Sequence, residues 1–216
     1  MTEISDFLLL LAEIVGTAAF SAAGTLTGIQ RKLDVFGAFV SGCLTAVGGG
    51  FIRDIVLGVT PPSLFVHPMY VTIAAVTSVA VMITDRAVVK RKPDLKFDAL
   101  INFFDSVGLA SFVISGIDTS RYCGFGDNAF LTVFVGVVTG IGGGLLRDSV
   151  SGSVAVIMHK QVYATVAIAG AIIYYYPIRL GLRDYYSGII AFAFIVMVRL
   201  LAAHYRWDLP KIDSGE

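Results

Sequence analysis

The sequence predicts an all-α polytopic membrane protein with seven transmembrane helices, arranged as two inverted three-helix repeats followed by one C-terminal helix. Three observations carry that expectation. The 216 residues are 56% hydrophobic and only 15% charged, with a mean hydropathy of +0.80, whereas a soluble domain is about 45–50% apolar and about 25% charged. The charges are clumped, leaving uncharged runs at 14–30, 35–52, 55–84, 106–117, 128–146, 161–178 and 185–198. Finally, the segment 42–58, GCLTAVGGGFIRDIVLG, recurs at 136–152 as GVVTGIGGGLLRDSVSG.

The spans are expected at 7–27, 34–58, 69–89, 98–117, 128–151, 161–179 and 185–204, most of them near the ~20 residues that cross a bilayer. The first carries the small-residue stretch 17–23 of a cleavable leader. The residues before it hold Glu3 and Asp6 and no Lys or Arg, so it reads as a retained helix. The second and fifth spans contain the recurring segment. Gly24 and Gly28 in the first span have the spacing of a helix-packing seam. Tyr174, Tyr175 and Tyr176 before Pro177 read as an interfacial aromatic belt, and His67 and His159 as interface residues just ahead of the third and sixth spans. Loop Lys and Arg residues number three on the side of the N-terminus (Arg121, Arg179, Arg183) and ten on the other, including the run Lys90-Arg91-Lys92. The positive-inside rule then places the N-terminus outside and the C-terminus in the cytoplasm of a cell-membrane protein.

The duplication extends beyond its central motif. Glu13-Ile-Val-Gly16 matches Asp105-Ser-Val-Gly108 and Phe20 matches Phe112 at an offset of 92, and Tyr70-Val-Thr72 matches Tyr163-Ala-Thr165 at 93. Each copy spans three helices, 7–89 and 98–179, within one transmembrane domain over 1–216, and the helix at 185–204 stands outside. An odd number of crossings per copy inverts the second relative to the first.

Inverted repeats place pathways near mid-membrane, and an interrupted helix is the usual pointer to them. Gly48-Gly49-Gly50 and Gly142-Gly143-Gly144 are expected to act as such kinks, because each glycine costs about 1 kcal/mol relative to alanine in a helix. Gly42, Thr45, Gly49 and Arg53 follow one face in steps of three and four, and Gly136, Thr139, Gly143 and Arg147 repeat them. That stripe reads as a small polar pore lining, or as a break capped by a structural arginine. Arg53-Asp54 and Arg147-Asp148, with Glu13 and Asp105, are charges inside spans, where each costs about 2.5–3.5 kcal/mol unless paired or wet. Neighbours on a helix point about 100° apart, so each arginine and aspartate is expected to bond a neighbouring helix or exposed carbonyls, the cross-repeat acids being candidate partners.

Equal numbers of Lys plus Arg and Asp plus Glu, 16 each, leave no basic field for nucleic acid. Cys43 and Cys123 lack metal-ligand spacing, and no nucleophile triad, Walker loop or HExxH helix occurs, so the chain reads as a non-enzyme with no catalytic residue, metal or cofactor.

The doubled GGGxxRD segment, the DSVGLASF stretch at 105–112 and the three-plus-three-plus-one layout resemble the trimeric intracellular cation (TRIC) channel family, in its bacterial and archaeal members. The resemblance implies a homotrimer in membrane lipid, each subunit with its own monovalent-cation pore along the kinked second and fifth helices, and potassium as the main ion. It places the motif on Gly48, Gly49, Gly50, Arg53 and Asp54, and again on Gly142, Gly143, Gly144, Arg147 and Asp148. The Lys-Glu-Val motif and long charged tail of animal members are not found. Some bacterial relatives with the same doubled motif are regarded as glycine transporters, the alternative function.

Overall fold

In a computed structural model, residues 3–88, 95–151, 162–205 and 207 are described. They form eight α-helices: α1 Glu3–Gln30, α2 Val35–Leu57, α3 Ser63–Val66, α4 Met69–Val88, α5 Leu95–Ser120, α6 Ala129–Val150, α7 Val162–Arg179 and α8 Asp184–Tyr205. The Lys90-Arg91-Lys92 run, His159 and the C-terminal residues from 208 lie outside the described set. Each predicted span is covered by a helix, and the one-turn α3 is additional. Five helices are long and apolar enough to cross a membrane, and Met69–Thr84 forms a shorter apolar helix.

Local chemistry sets the boundaries. Asp34 caps α2 by accepting from the Gly37 N–H at 2.7 Å, and Asn128 caps α6 by accepting from Leu131 N–H at 3.1 Å, each satisfying a donor that the first turn leaves without a helical partner. Gly58 ends α2 at φ 71°, a left-handed conformation that glycine adopts without strain. A π-helical turn, Arg121–Phe125, carries the chain from α5 toward α6 and closes at Gly124 with φ 87°.

Helices α1, α2, α5 and α6 pack around one another. α4 lies against α1 and α2, α7 against α5 and α6, and α8 against α5 and α7. At the α1–α5 crossing the matched Phe20 and Phe112 rings stack at 5.3 Å. Gly24 packs on Ser41 and Thr45 and Gly28 on Ala38, so the spacing read from the sequence forms the α1–α2 seam. The polarity is inverted relative to a soluble protein: Ser21, Thr25, Ser78, Ser106, Ser111 and Ser115 are fully buried, while Phe36, Phe130, Ile83 and Val76 face outward. An apolar exterior over a hydrogen-bonded interior suits a lipid surround, and the chain is a multi-pass membrane protein.

Hydrogen bonds and ion pairs sort the helix ends into two groups. Gln30 reaches Asp98 and Arg31 reaches Asp148, joining the end of α1 to the start of α5 and the end of α6. Tyr70 and Ser115 both donate to Glu13, joining the first half of α1 and the start of α4 to the latter part of α5. Arg121 pairs with Asp118 and Asp184, adding the start of α8 to that second group.

Candidate functional site

The triple glycines are a crossing seam, not a helical break. α2 and α6 remain α-helical through Gly48–Gly50 and Gly142–Gly144, correcting the interruption expected from glycine's poor propensity. Tertiary contact outweighs that local cost. A Cβ on Gly49 would overlap the Thr139 carbonyl oxygen, and one on Gly143 would overlap the Thr45 carbonyl oxygen. The contacts are reciprocal and made by backbone, which cannot yield as a side-chain tip does. Gly48 and Gly142 complete the seam against Leu146 and Ile52. Gly50 and Gly144 differ: a Cβ there would meet only the guanidinium ends of Arg53 at 3.8 Å and of Arg147 at 3.7 Å, with Tyr163 Oη also at 3.7 Å from Gly144.

Thr45 and Thr139 flank the seam with wholly buried hydroxyls that donate back to Ser41 O and Val135 O, each at 2.6 Å. They do not line an open route in this conformation. A threonine inside a helix meets its hydroxyl requirement locally, and Gly24 and Gly116 pack directly on the two side chains.

The Arg-Asp pairs meet the expectation only in part. Arg53 Nε and Nη2 donate to Asp54 Oδ1, both at 2.8 Å, and Arg147 Nε donates to Asp148 Oδ1 at 3.0 Å. The long guanidinium arm curls across the 100° between neighbours, so each arginine pairs within its own motif. Asp54 Oδ2 is left to accept from the Ser63 N–H at 2.6 Å, which ties α3 to the end of α2. Asp148 instead receives a second arginine, Arg31, at 3.0 Å. All four motif residues are buried, in agreement with the need to pair charges within a span.

The matched acids have different surroundings. Both Glu13 oxygens accept hydrogen bonds, from Tyr70 Oη and Ser115 Oγ. Ser115 comes from the other half of the chain and is also 3.4 Å from Arg53 Nη1. Beside these groups lies a cavity of about 40 Å³ bordered by Glu13, Thr17, Gly50, Arg53, Asp54 and Tyr70. Asp105 instead receives Arg199 Nη2 at 2.9 Å, and that guanidinium sits 4.4 Å over the Tyr163 ring. Arg147 is within electrostatic reach of Asp105.

The sequence reading missed Tyr70, Ser115, Arg31 and Arg199 as site residues. Arg199 carried a usable signal, a charge inside the seventh span, and by the rule applied to the other intramembrane charges it merited a partner. Tyr174 and Tyr175 are corrected as well: both are buried, and Tyr174 donates to Asp118 at 2.7 Å, leaving only Tyr176 exposed like a belt residue. His67 is exposed just before α4.

The family model described as glycine transporter matches the chain twice, at residues 10–86 and 102–178. A UPF0126 membrane protein of Vibrio cholerae is 31% identical over 209 residues, covering 97% of this chain and 84% of that protein. The UPF0126 inner membrane protein YadS of Escherichia coli K12 is 32% identical over 207 residues, covering 94% and 96%. Among solved structures, one from work on conductance through TRIC cation channels has a TM-score of 0.81 at 29% identity, covering 95% of this chain and 98% of that one. The TRIC channel orthologue from Rhodobacter sphaeroides gives 0.81 at 28%, covering 93% and 99%. With both copies of the family model matched, and sequence relatives and solved folds spanning nearly the whole length, the chain belongs to the TRIC channel family, to which the glycine transporter model corresponds.

Proposed function

We propose that the protein is a passive channel for monovalent cations, potassium foremost, in which each subunit of a homotrimer carries its own route along α2 and α6. The observation that carries this reading is the cavity beside Glu13. Among the described residues around it stand two carboxylates, Glu13 and Asp54, against one guanidinium, Arg53, and its volume is about 40 Å³. That is room for roughly one to three waters, which suits a single small cation held by carboxylate and hydroxyl oxygens. The 28–29% identity to solved TRIC channels over more than nine-tenths of the chain supports the same function.

In this reading the halves at 7–89 and 98–179 are inverted copies forming one transmembrane domain, and 185–204 is the added seventh span. The N-terminus lies outside and the C-terminus in the cytoplasm of the cell membrane, with lipid around the trimer. The Gly49–Gly143 seam closes the route in the present conformation, and conduction requires α2 and α6 to part there. The doubled GGGxxRD motif is the hinge of that parting, and Arg53, Asp54, Arg147 and Asp148 hold its two ends.

The family model's description favours a second reading, a glycine transporter of the same fold. The seam would then separate two alternately exposed half-sites around a bound zwitterion. Purified protein in a planar bilayer separates the two. A channel gives unitary currents whose reversal potential follows the potassium gradient when K⁺, Na⁺ and Cl⁻ gradients are unequal, and added glycine leaves them unchanged. Absence of unitary current together with saturable glycine counterflow would overturn the channel.

A further inference from the structure

Glu13 and Asp105 occupy matched positions, and so do Tyr70 and Tyr163, yet the two acids are neutralised by different means. Glu13 is held by two hydroxyls and borders a cavity. At the same offset of 92 that relates the acids, Ser115 corresponds to Ala23, so the first half offers no matching hydroxyl to Asp105. The matched Tyr163 hydroxyl lies beside Asp105 but makes no hydrogen bond of normal geometry, and Asp105 is bound instead by the guanidinium of Arg199, from the helix outside the duplication. Arg199 is 6% exposed, and its Nε is buried with no hydrogen-bond partner among the described residues. Tyr163 turns its ring face to the guanidinium, the arrangement in which an aromatic quadrupole stabilises a cation. Around Asp105 and Asp148 the described residues supply three guanidiniums, Arg31, Arg147 and Arg199. The excess is one positive charge, the reverse of the Glu13 side.

We propose that Arg199 is a tethered counter-cation: α8 lodges a guanidinium in the position a mobile cation would take beside Asp105, and so bars this half of the route to cations until α8 withdraws it. The consequence for permeation rests on the channel reading, whereas occupancy of the Asp105 position does not. An arginine suits the task because it stays charged at any physiological pH and stacks on an aromatic ring. Its place on the unduplicated helix gives control to an element that can shift without disturbing the α2–α6 seam.

The test uses the full chain with Arg199→Gln, Asp105→Asn and the double variant, each melted in potassium chloride and in the chloride of the bulky cation N-methyl-D-glucamine. Arg199→Gln is expected to melt roughly 3–5 °C higher in potassium held at about ten times its dissociation constant, because a mobile ion replaces the tethered one. The native protein and the double variant are expected to share one common shift between the salts, that of the Glu13 cavity, and the roughly 3–5 °C of Arg199→Gln is the excess over it. In liposomes, potassium flux is expected to rise about tenfold in Arg199→Gln, to fall in Asp105→Asn and to return near native in the double variant, as local charge controls ion supply. A potassium shift of Arg199→Gln no larger than that of the native protein would overturn the proposal. So would failure to recover it folded in either salt while the double variant folds, because Arg199 would then serve only a dry contact. Absence of flux in every variant with potassium-dependent melting of Arg199→Gln preserved would remove the channel reading and leave the counter-cation standing.

Discussion

The Glu13 and Asp105 regions descend from one repeated pattern and solve the same electrostatic problem differently. In the first half, hydroxyls from α4 and α5 hold the acid next to a small cavity. In the second, a guanidinium from α8 covers it against an aromatic ring. The local motif is retained: each arginine pairs with the aspartate that follows it. What differs comes from outside the motif, from one serine, one extra arginine near a loop and one extra helix. A duplicated core therefore fixes where charges are buried, and unduplicated neighbours decide which groups pair with them; on the proposed reading they thereby decide which acid can take a mobile ion.

The contrast can be broken most severely at the motif arginines. Replacing Arg53 with Met leaves Asp54 buried with the Ser63 N–H and, among the described residues, no cation partner, and an uncompensated buried charge costs about 3–5 kcal/mol. Arg147→Met is expected to be milder, because Arg31 still contacts Asp148 at 3.0 Å. Denaturant or thermal unfolding in detergent checks the order, and equal losses would show that Arg31 contributes nothing.

The seam comes next. Gly49→Ala and Gly143→Ala drive a methyl group into a facing backbone carbonyl, an overpacking that costs about 1–3 kcal/mol or more. Gly50→Ala and Gly144→Ala meet only arginine ends and, at Gly144, the Tyr163 hydroxyl, all at ordinary contact distance, and are expected to stay within about 0.5 kcal/mol of the native protein. Melting temperatures of the four variants decide this, and indistinguishable values would remove the seam from the account. Tyr70→Phe deletes one of the two Glu13 donors and is expected to lose about 1–3 kcal/mol. Tyr163→Phe keeps the ring under Arg199 and is expected to fall at or below the low end of that range. A larger loss at Tyr163 would reverse the assignment of hydroxyl support to the first half. Asp127→Asn has the smallest effect: its pair with Arg179 is at the surface, with Asp127 91% exposed, where such pairs contribute about 0–1 kcal/mol.

Much of the fold was legible because it is written in local signals. The span at 34–58 became α2 at 35–57, and that at 128–151 became α6 at 129–150, since Asp34, Gly58 and Asn128 mark ends that any reading of caps can find. α3 escaped because a single turn has no periodicity to detect. The glycine runs were identified as the centre of the molecule but misread as breaks: propensity is a property of an isolated helix, and nothing local says that Gly49 will meet Gly143's helix with no side chain between. The expected bonds to other elements are made by Asp54, Arg53 and Asp148, but the pairing of each arginine with its own aspartate was not foreseen, since the 100° rule describes Cβ directions and not the reach of a guanidinium. The partnership of Arg199 with Asp105 joins positions 94 residues apart, a contact that only the packing of α8 on α5 creates.

The central claim is that one half-site takes a mobile cation while its counterpart is already filled by Arg199. Anomalous diffraction from crystals of the native protein in rubidium or thallium salt tests it most directly. The account predicts a peak in the cavity between Glu13 and Asp54 and none beside Asp105, with Arg199 in place. A peak beside Asp105 with Arg199 displaced, or no peak at Glu13 under saturating salt, would contradict it.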